Sequence, residues 1–352
     1  MVIGAGQAGL SSSFHLRRRG IEHVVLDSNA EAGGAWQHRW RSLTMRDVHG
    51  VAALPELDVP IGSDREPART FVPAYFRDYE QTYDLPILRP IRVRAVRDDP
   101  STGSGTGGLL IVEAADRTWT TRTLINATGT WTHPFVPHYP GQETFLGRQL
   151  HTVDYDGPEE MAGLHVVVVG GGASAIQLLG EIAPVAAGTT WVTRRPPVWR
   201  TEDFTPELGR AVVAKVEERV RQGLPPGSVS SVTGIALREQ EREAEFLGTY
   251  DRRPMFSSIE PDGVRWSRGN VFQPADVILW ATGFRPAIDH LAPLHLRSPR
   301  GGIQLDRTTA VIDPRIQLVG YGPSASTIGA NRAGREAARG VAQSLAVPVR
   351  VG

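Results

Sequence analysis

One pattern occurs twice in the chain: a run of β-branched residues, then a glycine-rich turn, then a helix-forming stretch. The first copy reads MVIGAGQAG at Met1–Gly9, and the second reads VVVVGGGASA at Val166–Ala175. A second apolar segment follows each copy, HVVLD at 23–27 and TTWVT at 189–193. The interval from the first glycine of the turn to the end of this segment is 23 residues in both copies. Two βαβ units at matching spacing predict an α/β chain with two Rossmann-like dinucleotide-binding domains.

The first glycine turn, defined as Gly4–Gly9, has the GxGxxG form. Its glycines allow a tight bend, close approach of a pyrophosphate and close packing of the helix on the strand. The helix N-terminus behind them presents N–H groups to phosphate. Asp27 ends the next strand, where an acidic residue accepts hydrogen bonds from a ribose; a solvated turn aspartate is the alternative. Only three residues precede the turn, so we expect a short or truncated first strand.

The second glycine turn, Gly170–Ala175, has alanine in place of the third glycine, which the dinucleotide fingerprint allows. Its second strand ends at Thr193, where a ribose-binding acid would lie, and Arg194 and Arg195 follow. A missing acid beside two guanidinium groups favours a 2′-phosphate, which NADP carries and FAD and NAD lack. The alternative is a pair of solvated arginines in an arginine-rich chain.

The composition excludes several kinds of chemistry. The 352 residues include no cysteine, so disulfide exchange, thiol nucleophiles and Cys-ligated metals are excluded, and redox chemistry requires a bound organic cofactor. Lys215 is the sole lysine, and 38 basic and 38 acidic residues cancel, which argues against nucleic acid or an anionic membrane as partner. No uninterrupted apolar run is long enough to span a membrane, and the motif begins at residue 4 with no signal peptide before it, so we expect a soluble cytoplasmic protein.

Further segments resemble the class B flavin-containing monooxygenases, and the likeness extends over essentially the whole chain. GGAW at 33–36 matches the family's GGxW motif, and LINATGTW at 124–131 and ILWATGFRP at 278–286 match its two ATG segments. The most specific match is FLGRQLHTVDY at 145–155. It has the linker fingerprint FxGxxxHxxxY at all four fixed positions, Phe145, Gly147, His151 and Tyr155. The resemblance implies a two-dinucleotide-binding flavoprotein.

The same resemblance implies a discontinuous FAD-binding domain over 1–155 and 275–352, with an NAD(P)H-binding domain inserted at 156–274. NADPH, and NADH as well, would reduce FAD. A C4a-(hydro)peroxyflavin formed with dioxygen would then oxygenate a small sulfide, amine or ketone. Two alternatives stay open: a ferredoxin-reductase-like reductase or oxidase without a stable peroxyflavin, and a non-catalytic nucleotide sensor. We expect a monomer or a homodimer.

The motifs and the resemblance together predict the cofactor contacts. Contacts with FAD are expected at Gly4, Gly6, Gln7, Ala8, Gly9, Asp27, Ser28, Gly34, Trp36, Met45, Val93, Ala127, Thr128, Gly129, Gly322 and Thr327. Contacts with NADP are expected at Gly170, Gly172, Ala173, Ser174, Ala175, Arg194, Arg195, Ala281, Thr282 and Gly283. No metal site is expected.

One segment departs from the family. At 41–50, RSLTMRDVHG, this chain has Met45, Arg46 and Asp47 where the family often has an asparagine, or small and aromatic residues, beside the flavin. Arg46 and Asp47 are candidate catalytic residues, because such a pair would stabilise an anionic peroxyflavin; an ion pair on a surface loop is the equal alternative. His151 is interpreted as a structural residue of the linker rather than a general acid.

The remaining periodicity predicts the other elements. Helices are expected at about 8–19, 73–83, 173–183, 206–222, 237–247 and 326–345, strands near 91–96 and 109–114, and a mobile hairpin tip at 98–108. Gly20 should end the first helix, and the last helix should direct its N-terminus at the flavin.

Overall fold

Two mostly parallel sheets form the centre of the computed structural model, one for each glycine turn. The structure describes residues 1–48, 50–102, 107–200, 214, 216–227, 235–236, 239–325 and 327–346. In both units a glycine turn joins a buried strand to a helix, Gln7–Arg17 in the first and Ala173–Ile182 in the second. The prediction of an α/β fold with two Rossmann-like units is confirmed.

The first sheet has seven strands. In spatial order they are Leu305–Asp306, Thr309–Ala310, Ile316–Leu318, Leu124–Asn126, Val2–Ile3, Val25–Leu26 and Ile87–Leu88. The last five are parallel to one another, and the first two are antiparallel additions at one edge. Three helices, Gln7–Arg17, Ala68–Thr82 and Thr327–Ala346, contribute side chains to one apolar core on this sheet. That packing holds the first glycine turn between the sheet and the last helix.

The second sheet has five strands, all parallel. In spatial order they are Arg252–Pro254, Gly188–Thr193, His165–Val169, Val277–Trp280 and Arg148–His151. The central valines are buried, which explains their unbroken run, because a parallel strand covered on both faces has no polar side. Helices Ala173–Ile182 and Glu239–Phe246 pack together against one face of this sheet.

Three smaller sheets complete the described strands. One is antiparallel and contains Ala95–Asp98, Leu110–Glu113 and Thr118–Thr121; a second is antiparallel and contains Ser258–Glu260, Gly263–Trp266 and Val271–Pro274; the third pairs Trp199–Arg200 with Ile235–Ala236. Short 3₁₀ helices lie at Gly34–His38, Pro100–Thr102, Gln142–Thr144, Pro158–Met161, Arg268–Asn270, Asp289–Leu294 and Gly322–Ala325.

The helix predicted at 73–83 begins earlier, at Ala68, and ends at Thr82, so Pro73 lies inside it. Proline removes one backbone hydrogen bond there. The loss is offset by burial, because Phe71, Val72 and Tyr75 all face the core. Pro73 also packs closely against Gly33, because a Cβ added to Gly33 would lie 2.7 Å from Pro73 Cβ.

The other predicted helices lie close to their expected positions, with Glu239–Phe246 and Thr327–Ala346 as observed ranges. Of the helix predicted at 206–222, residues 206–213 and 215 lie outside the described residues, and 216–221 are helical. Residues 103–106 of the predicted hairpin tip also lie outside the described residues. Among the helices that the structure describes, none combines the length and hydropathy that a bilayer crossing needs.

The chain passes from one sheet to the other twice. It leaves the first sheet after Leu124–Asn126 and leaves the second after Val277–Trp280. Arg148–His151 and Val277–Trp280, which flank the inserted segment, are both strands of the second sheet. The division of the chain into domains at 1–155 with 275–352 and at 156–274 stays a prediction.

The two crossing segments, 127–135 and 281–287, are bonded to each other. They run antiparallel, since Pro134 and Phe284 form an isolated bridge. Reciprocal side-chain bonds also join them. Each ATG threonine donates its hydroxyl to a backbone carbonyl of the other segment, Thr128 to Ala287 at 2.6 Å and Thr282 to Phe135.

Each ATG alanine lies against the first glycine of a glycine turn. A Cβ added to Gly4 would lie 2.5 Å from the Ala127 carbonyl oxygen, and a Cβ added to Gly170 would lie 2.1 Å from that of Ala281. Both glycines also have positive φ, 99° and 152°. The internal repeat therefore includes the ATG segments, and the first glycine of each turn is required by the protein's own backbone.

We expect Gly170→Ala to lower the free energy of unfolding by at least about 2 kcal/mol, because it combines a backbone clash with a disfavoured φ. Gly171→Ala is the matched control, since its added Cβ would meet only the Thr193 side chain at 3.7 Å, an ordinary contact. Urea denaturation of both variants measures the difference. Equal stabilities would show that the Ala281 carbonyl moves away without cost.

Candidate active site

Gly6, the middle glycine of the first turn, differs from Gly4 and Gly9 in the space around it. A Cβ added to Gly9 would lie 1.9 Å from the Gly4 carbonyl oxygen, so packing requires glycine at this position as well. A Cβ added to Gly6 would meet only Gly34 Cα, at 3.9 Å. Gly6 precedes the helix in extended conformation, and no side chain caps the helix N-terminus there. The turn thus leaves open space in front of free N–H groups, which suits a diphosphate.

Gln7 supports the same interpretation. Its Nε2 donates to the Ala52 carbonyl at 2.9 Å and to Asn331 Oδ1 at 3.1 Å. Its Oε1 is buried and has no hydrogen-bond partner in the part of the chain that the structure describes. A buried orphan acceptor is unfavourable unless a ligand supplies a donor. An open phosphate cradle beside a free acceptor fits FAD, which carries a diphosphate and hydroxyl groups.

Asp27 is buried at the end of its strand, as the sequence predicts. Its Oδ2 accepts the N–H of Ala5 at 2.5 Å, and its Oδ1 accepts the N–H of Asn29 at 2.7 Å. A carboxylate has about four lone-pair sites, so both oxygens can still accept a ribose hydroxyl. Arg89 lies beside it, with Nε 4.0 Å from Asp27 Oδ1 and a two-pronged ion pair to Glu80. Burial raises the pKa of Glu80.

The GGxW motif packs against the first glycine turn. A Cβ added to Gly34 would lie 2.8 Å from Gly6 Cα, so the two backbones touch at this point. Trp36 and Met45 are partly buried and contact the apolar cores of both sheets. The predicted FAD contacts at Gly34, Trp36 and Met45 therefore lie between the two sheets.

The other predicted FAD contacts have varied surroundings. Ala8, Gly9 and Ala127 are buried, Val93, Thr128 and Gly129 are half-buried, and Ser28 is exposed. Gly322 has φ of 60°, and an added Cβ there would lie 2.7 Å from Val220 Cγ2. Thr327 begins the last helix. Gly322 is thus required by packing and does not by itself indicate a ligand.

The second turn repeats the first. Gly172 precedes its helix in extended conformation without a side-chain cap, as Gly6 does. Ala173 and Ser174 are half-buried at the helix start, whereas Ala175 packs into the core. The start of this helix therefore presents N–H groups that no side chain caps, as a dinucleotide requires.

Beyond the second turn, Arg194 and Arg195 are exposed. The Thr193 hydroxyl donates to the Arg195 carbonyl at 2.6 Å. Arg252, which sequence reasoning missed, donates from Nε to Thr193 Oγ1 at 2.7 Å and from Nη2 to the Thr193 carbonyl at 3.2 Å. Three arginines thus gather at this strand end. Pairing of two strands distant in sequence brings Arg252 here, and no local motif indicates it.

Each fixed position of the linker fingerprint has a defined structural role. Phe145 is buried in the second unit, and a Cβ added to Gly147 would lie 2.3 Å from the Asp276 carbonyl oxygen. His151 lies with Nε2 3.0 Å from the Gly283 carbonyl, to which the neutral ring donates. Burial lowers the pKa of His151. These contacts agree with the structural interpretation of His151 and give it no acidic role.

Glu181 ties the two units together, and sequence reasoning missed it. Its carboxylate accepts bonds from Trp40 Nε1 at 3.0 Å, Ser42 Oγ at 2.5 Å and the Tyr155 hydroxyl at 3.2 Å. Burial raises the pKa of Glu181. A second bond from the same helix runs from Gln177 Nε2 to a backbone carbonyl of the 41–47 segment, at 2.6 Å. The helix after the second turn is therefore fixed on the segment that follows GGxW.

The candidate catalytic pair lies in that segment. Arg46 is exposed, and Asp47 is half-buried. Asp47 Oδ2 accepts the Thr44 hydroxyl at 2.5 Å, and the Asp47 carbonyl accepts the bond from Gln177. The geometry therefore gives Asp47 a role in the turn, and a catalytic role for the pair stays a prediction.

His290 is hydrogen-bonded to Asn126, the residue that directly precedes the first ATG segment. Its Nε2 donates to Asn126 Oδ1 at 2.7 Å, and burial lowers its pKa to about 4. An unfolded histidine has a pKa near 6.5, so between these values the unfolded chain binds a proton that the folded chain does not. The free energy of unfolding therefore falls as pH drops from about 6.5 to about 4, by up to about 1.4 kcal/mol per pH unit.

We expect His290→Gln, which keeps a donor for Asn126, to lose less stability than the wild type over this pH interval. Thermal and urea unfolding at several pH values measure the slope. His138→Gln, at an exposed histidine, is the control and should leave the slope unchanged. If the two variants have the same slope, His290 is not a source of the acid sensitivity.

Known proteins resemble the chain over both units. A family model described as pyridine nucleotide-disulphide oxidoreductase matches residues 1–311. A solved flavin-containing monooxygenase from Stenotrophomonas maltophilia is 37% identical, with 98% of each chain covered and a TM-score of 0.82. A bacillithiol disulfide reductase from Bacillus cereus has the same fold, with a TM-score of 0.73 at 17% identity, over 97% of this chain and 98% of that chain.

Among curated relatives, a Baeyer–Villiger monooxygenase from Streptomyces coelicolor is 30% identical over 285 residues, which are 75% of this chain and 51% of that protein. The chain spans about half the length of this and other curated relatives it matches, 51–56%. Thiol–disulfide chemistry, for which the family is named, is excluded by the absence of cysteine from the sequence. Since the family match includes both glycine turns and both ATG segments, the chain belongs to the pyridine nucleotide-disulphide oxidoreductases, and within them it resembles the flavin-containing monooxygenases.

Proposed function

We propose that the protein is an FAD- and NAD(P)H-dependent monooxygenase that transfers one atom of dioxygen to a small molecule. The observation that carries the proposal is the open cradle at Gly6 beside the orphan acceptor of Gln7. The linker fingerprint adds support, because all four of its fixed positions match the class B monooxygenases. The fold alone would fit a reductase equally well.

In this proposal, FAD is held by the first unit and supplies the activation of dioxygen when bound. Gly4–Gly9 would hold its diphosphate, Gln7 Oε1 would accept from a hydroxyl, and Asp27 would accept from the adenosine ribose. Trp36 and Met45, which contact both cores, would exclude water from the cleft. The remaining predicted FAD contacts are retained in the proposal, and the chain is divided at 1–155 with 275–352 and at 156–274.

The second unit would hold NADPH. Gly170–Ala175 would bind its diphosphate, and Ala281–Gly283 would line the approach to it. Arg194, Arg195 and Arg252 form a cationic strand end where an NAD site has an acid. Guanidinium groups bind a phosphate dianion through paired N–H bonds, so they favour the 2′-phosphate.

The proposed substrate is a small soft nucleophile, a sulfide or an amine, or a ketone. A relative at 30% identity is a Baeyer–Villiger monooxygenase from Streptomyces coelicolor, and an S-allyl-L-cysteine S-oxygenase from Allium sativum, at 18% identity, shares the fold. Arg46 and Asp47 are proposed to influence this choice, since they lie on the segment that Gln177 and Glu181 fix against the second unit.

The decisive experiment follows NADPH oxidation by the purified protein with a panel of sulfides, amines and ketones. A monooxygenase gives oxygenated product in proportion to NADPH consumed, with little hydrogen peroxide. Consumption that yields hydrogen peroxide alone across the panel would favour an oxidase. Reduction of a protein carrier without oxygenated product would favour a reductase, and no consumption at all would favour a nucleotide sensor.

We expect Gly6→Ala to lose most of its flavin while keeping its fold. The added methyl group has room in the protein but occupies the diphosphate position. The FAD-to-protein absorbance ratio should fall to about one-tenth or less of the wild-type value, since one lost phosphate bond of about 1.5–3 kcal/mol is 10- to 100-fold in affinity. Gly107→Ala, in open space, is the control. Full flavin occupancy in Gly6→Ala would remove the first turn from the flavin site.

For coenzyme choice we expect a 10- to 100-fold preference for NADPH over NADH in kcat/KM. This is the factor that corresponds to one charge-assisted hydrogen bond to the 2′-phosphate, about 1.5–3 kcal/mol. Replacing both Arg194 and Arg195 by alanine should raise KM for NADPH and leave NADH nearly unchanged. Arg268→Ala, at another exposed arginine, is the control. A wild type that prefers NADH would contradict the 2′-phosphate assignment.

A further inference from the structure

Arg39 lies between two tryptophan rings. Its Cζ is 4.8 Å from the ring centroid of Trp131 and 5.5 Å from that of Trp36. Indole faces attract a guanidinium through their negative π charge and hold its plane. The edge of the guanidinium, which carries all five N–H donors, is left for another group.

That edge lacks a partner in the described chain. The Nε of Arg39 is buried, and no described residue accepts a hydrogen bond from it or pairs with the guanidinium as a carboxylate. Burial lowers the pKa of Arg39 to about 10, so the side chain remains charged at neutral pH. Arg39 as a whole is half-buried, and a guanidinium whose Nε is withdrawn from water without an acceptor is unfavourable unless an anion is supplied.

Arg315, which is buried, shows how this chain pairs a guanidinium that is withdrawn from water. Its guanidinium donates to Asp313 at 2.6 Å, to Asp98 at 2.5 Å and to the Gly108 carbonyl at 3.1 Å. The contrast indicates that the counter-charge of Arg39 comes from outside the described chain.

The surroundings of Arg39 narrow the choice of anion. Trp36 follows Gly34, whose backbone touches Gly6 of the first glycine turn. Trp131 follows the first ATG segment and stacks on Phe284 of the second, with ring centroids 5.1 Å apart. Arg39 is therefore linked through Trp36 to the segment that touches the first diphosphate cradle, and through Trp131 to both crossing segments.

We propose that Arg39 binds the diphosphate of a bound dinucleotide, with its faces held by Trp36 and Trp131 and its N–H edge on the phosphate oxygens. The inference rests on the proposed function for the identity of the dinucleotide, FAD or NADPH. The shared chemistry is a diphosphate, for which a planar guanidinium fork is well matched. Lysine would supply charge but neither the fork nor the stacking.

The test compares three full-length variants with the wild type. Arg39→Gln removes the charge, Arg39→Lys keeps it without the fork, and Arg41→Gln is the control. Arg41 is a neighbouring exposed arginine that pairs with Asp156 and Glu159 at 3.7 and 3.8 Å. Titrations measure Kd for FAD and for NADP⁺. Thermal unfolding is recorded without ligand and with FAD, NADP⁺ or inorganic pyrophosphate.

We expect Arg39→Gln to weaken binding of one dinucleotide about 10- to 100-fold, the range of a lost charge-assisted bond, with Arg39→Lys between it and the wild type. A higher Kd for FAD alone would assign Arg39 to the diphosphate of FAD. A higher Kd for NADP⁺ alone would assign it to the diphosphate of NADPH. Unfolding without ligand should not fall below that of Arg41→Gln, because the charge removed has no partner in the protein.

Three results would overturn the proposal: unchanged Kd values for both dinucleotides in Arg39→Gln, an equal loss in Arg41→Gln, or a fall in ligand-free stability specific to Arg39→Gln, which would show a structural role. A wild type that binds neither FAD nor NADP⁺ would refute the proposed function instead. The proposal then stands only if pyrophosphate stabilises the wild type and not Arg39→Gln.

Discussion

The structure depends on one steric constraint that is used twice: the carbonyl of an ATG alanine lies where a side chain on the first glycine of a turn would be. Gly4 against Ala127 and Gly170 against Ala281 fix the bend of each turn to the strand beside it. With the bend fixed by the backbone, no side chain caps the N-terminus of either helix. A side chain on Gly6 would meet only Gly34 Cα, at 3.9 Å, so the open cradle is a consequence of packing at Gly4 and Gly9.

The two units are held together by polar contacts between elements that a single unit would not contain. Glu181, on the helix of the second turn, accepts donors from Trp40, Ser42 and Tyr155. His151 holds the second ATG segment through Gly283. His151 and Tyr155, two of the four fingerprint residues, therefore act at the contact between units. This gives a physical reason for a fingerprint that contains no group suited to the chemistry itself.

Much of the fold could be predicted because its determinants are local. The glycine turns, the valine strand and the helix start at Ala173 all follow from short segments of sequence. The sequence pattern predicts a helix start at Pro73, but the helix begins at Ala68, because burial of the surrounding helix face outweighs one lost hydrogen bond. That burial depends on tertiary packing, which the local sequence does not show. Arg252, Glu181 and Arg39 were missed for a related reason: each acquires its meaning from residues distant in sequence, through strand pairing, helix docking or ring stacking.

The paired crossing segments have a mechanical consequence. They run in opposite directions between the two sheets, and the bonds from Thr128 and Thr282 lock them side by side. Pulling the units apart would stretch both segments and break both bonds, in addition to the bonds of Glu181 and Gln177. The connection therefore resists extension through two parallel load paths, which meet where Trp131 and Phe284 stack.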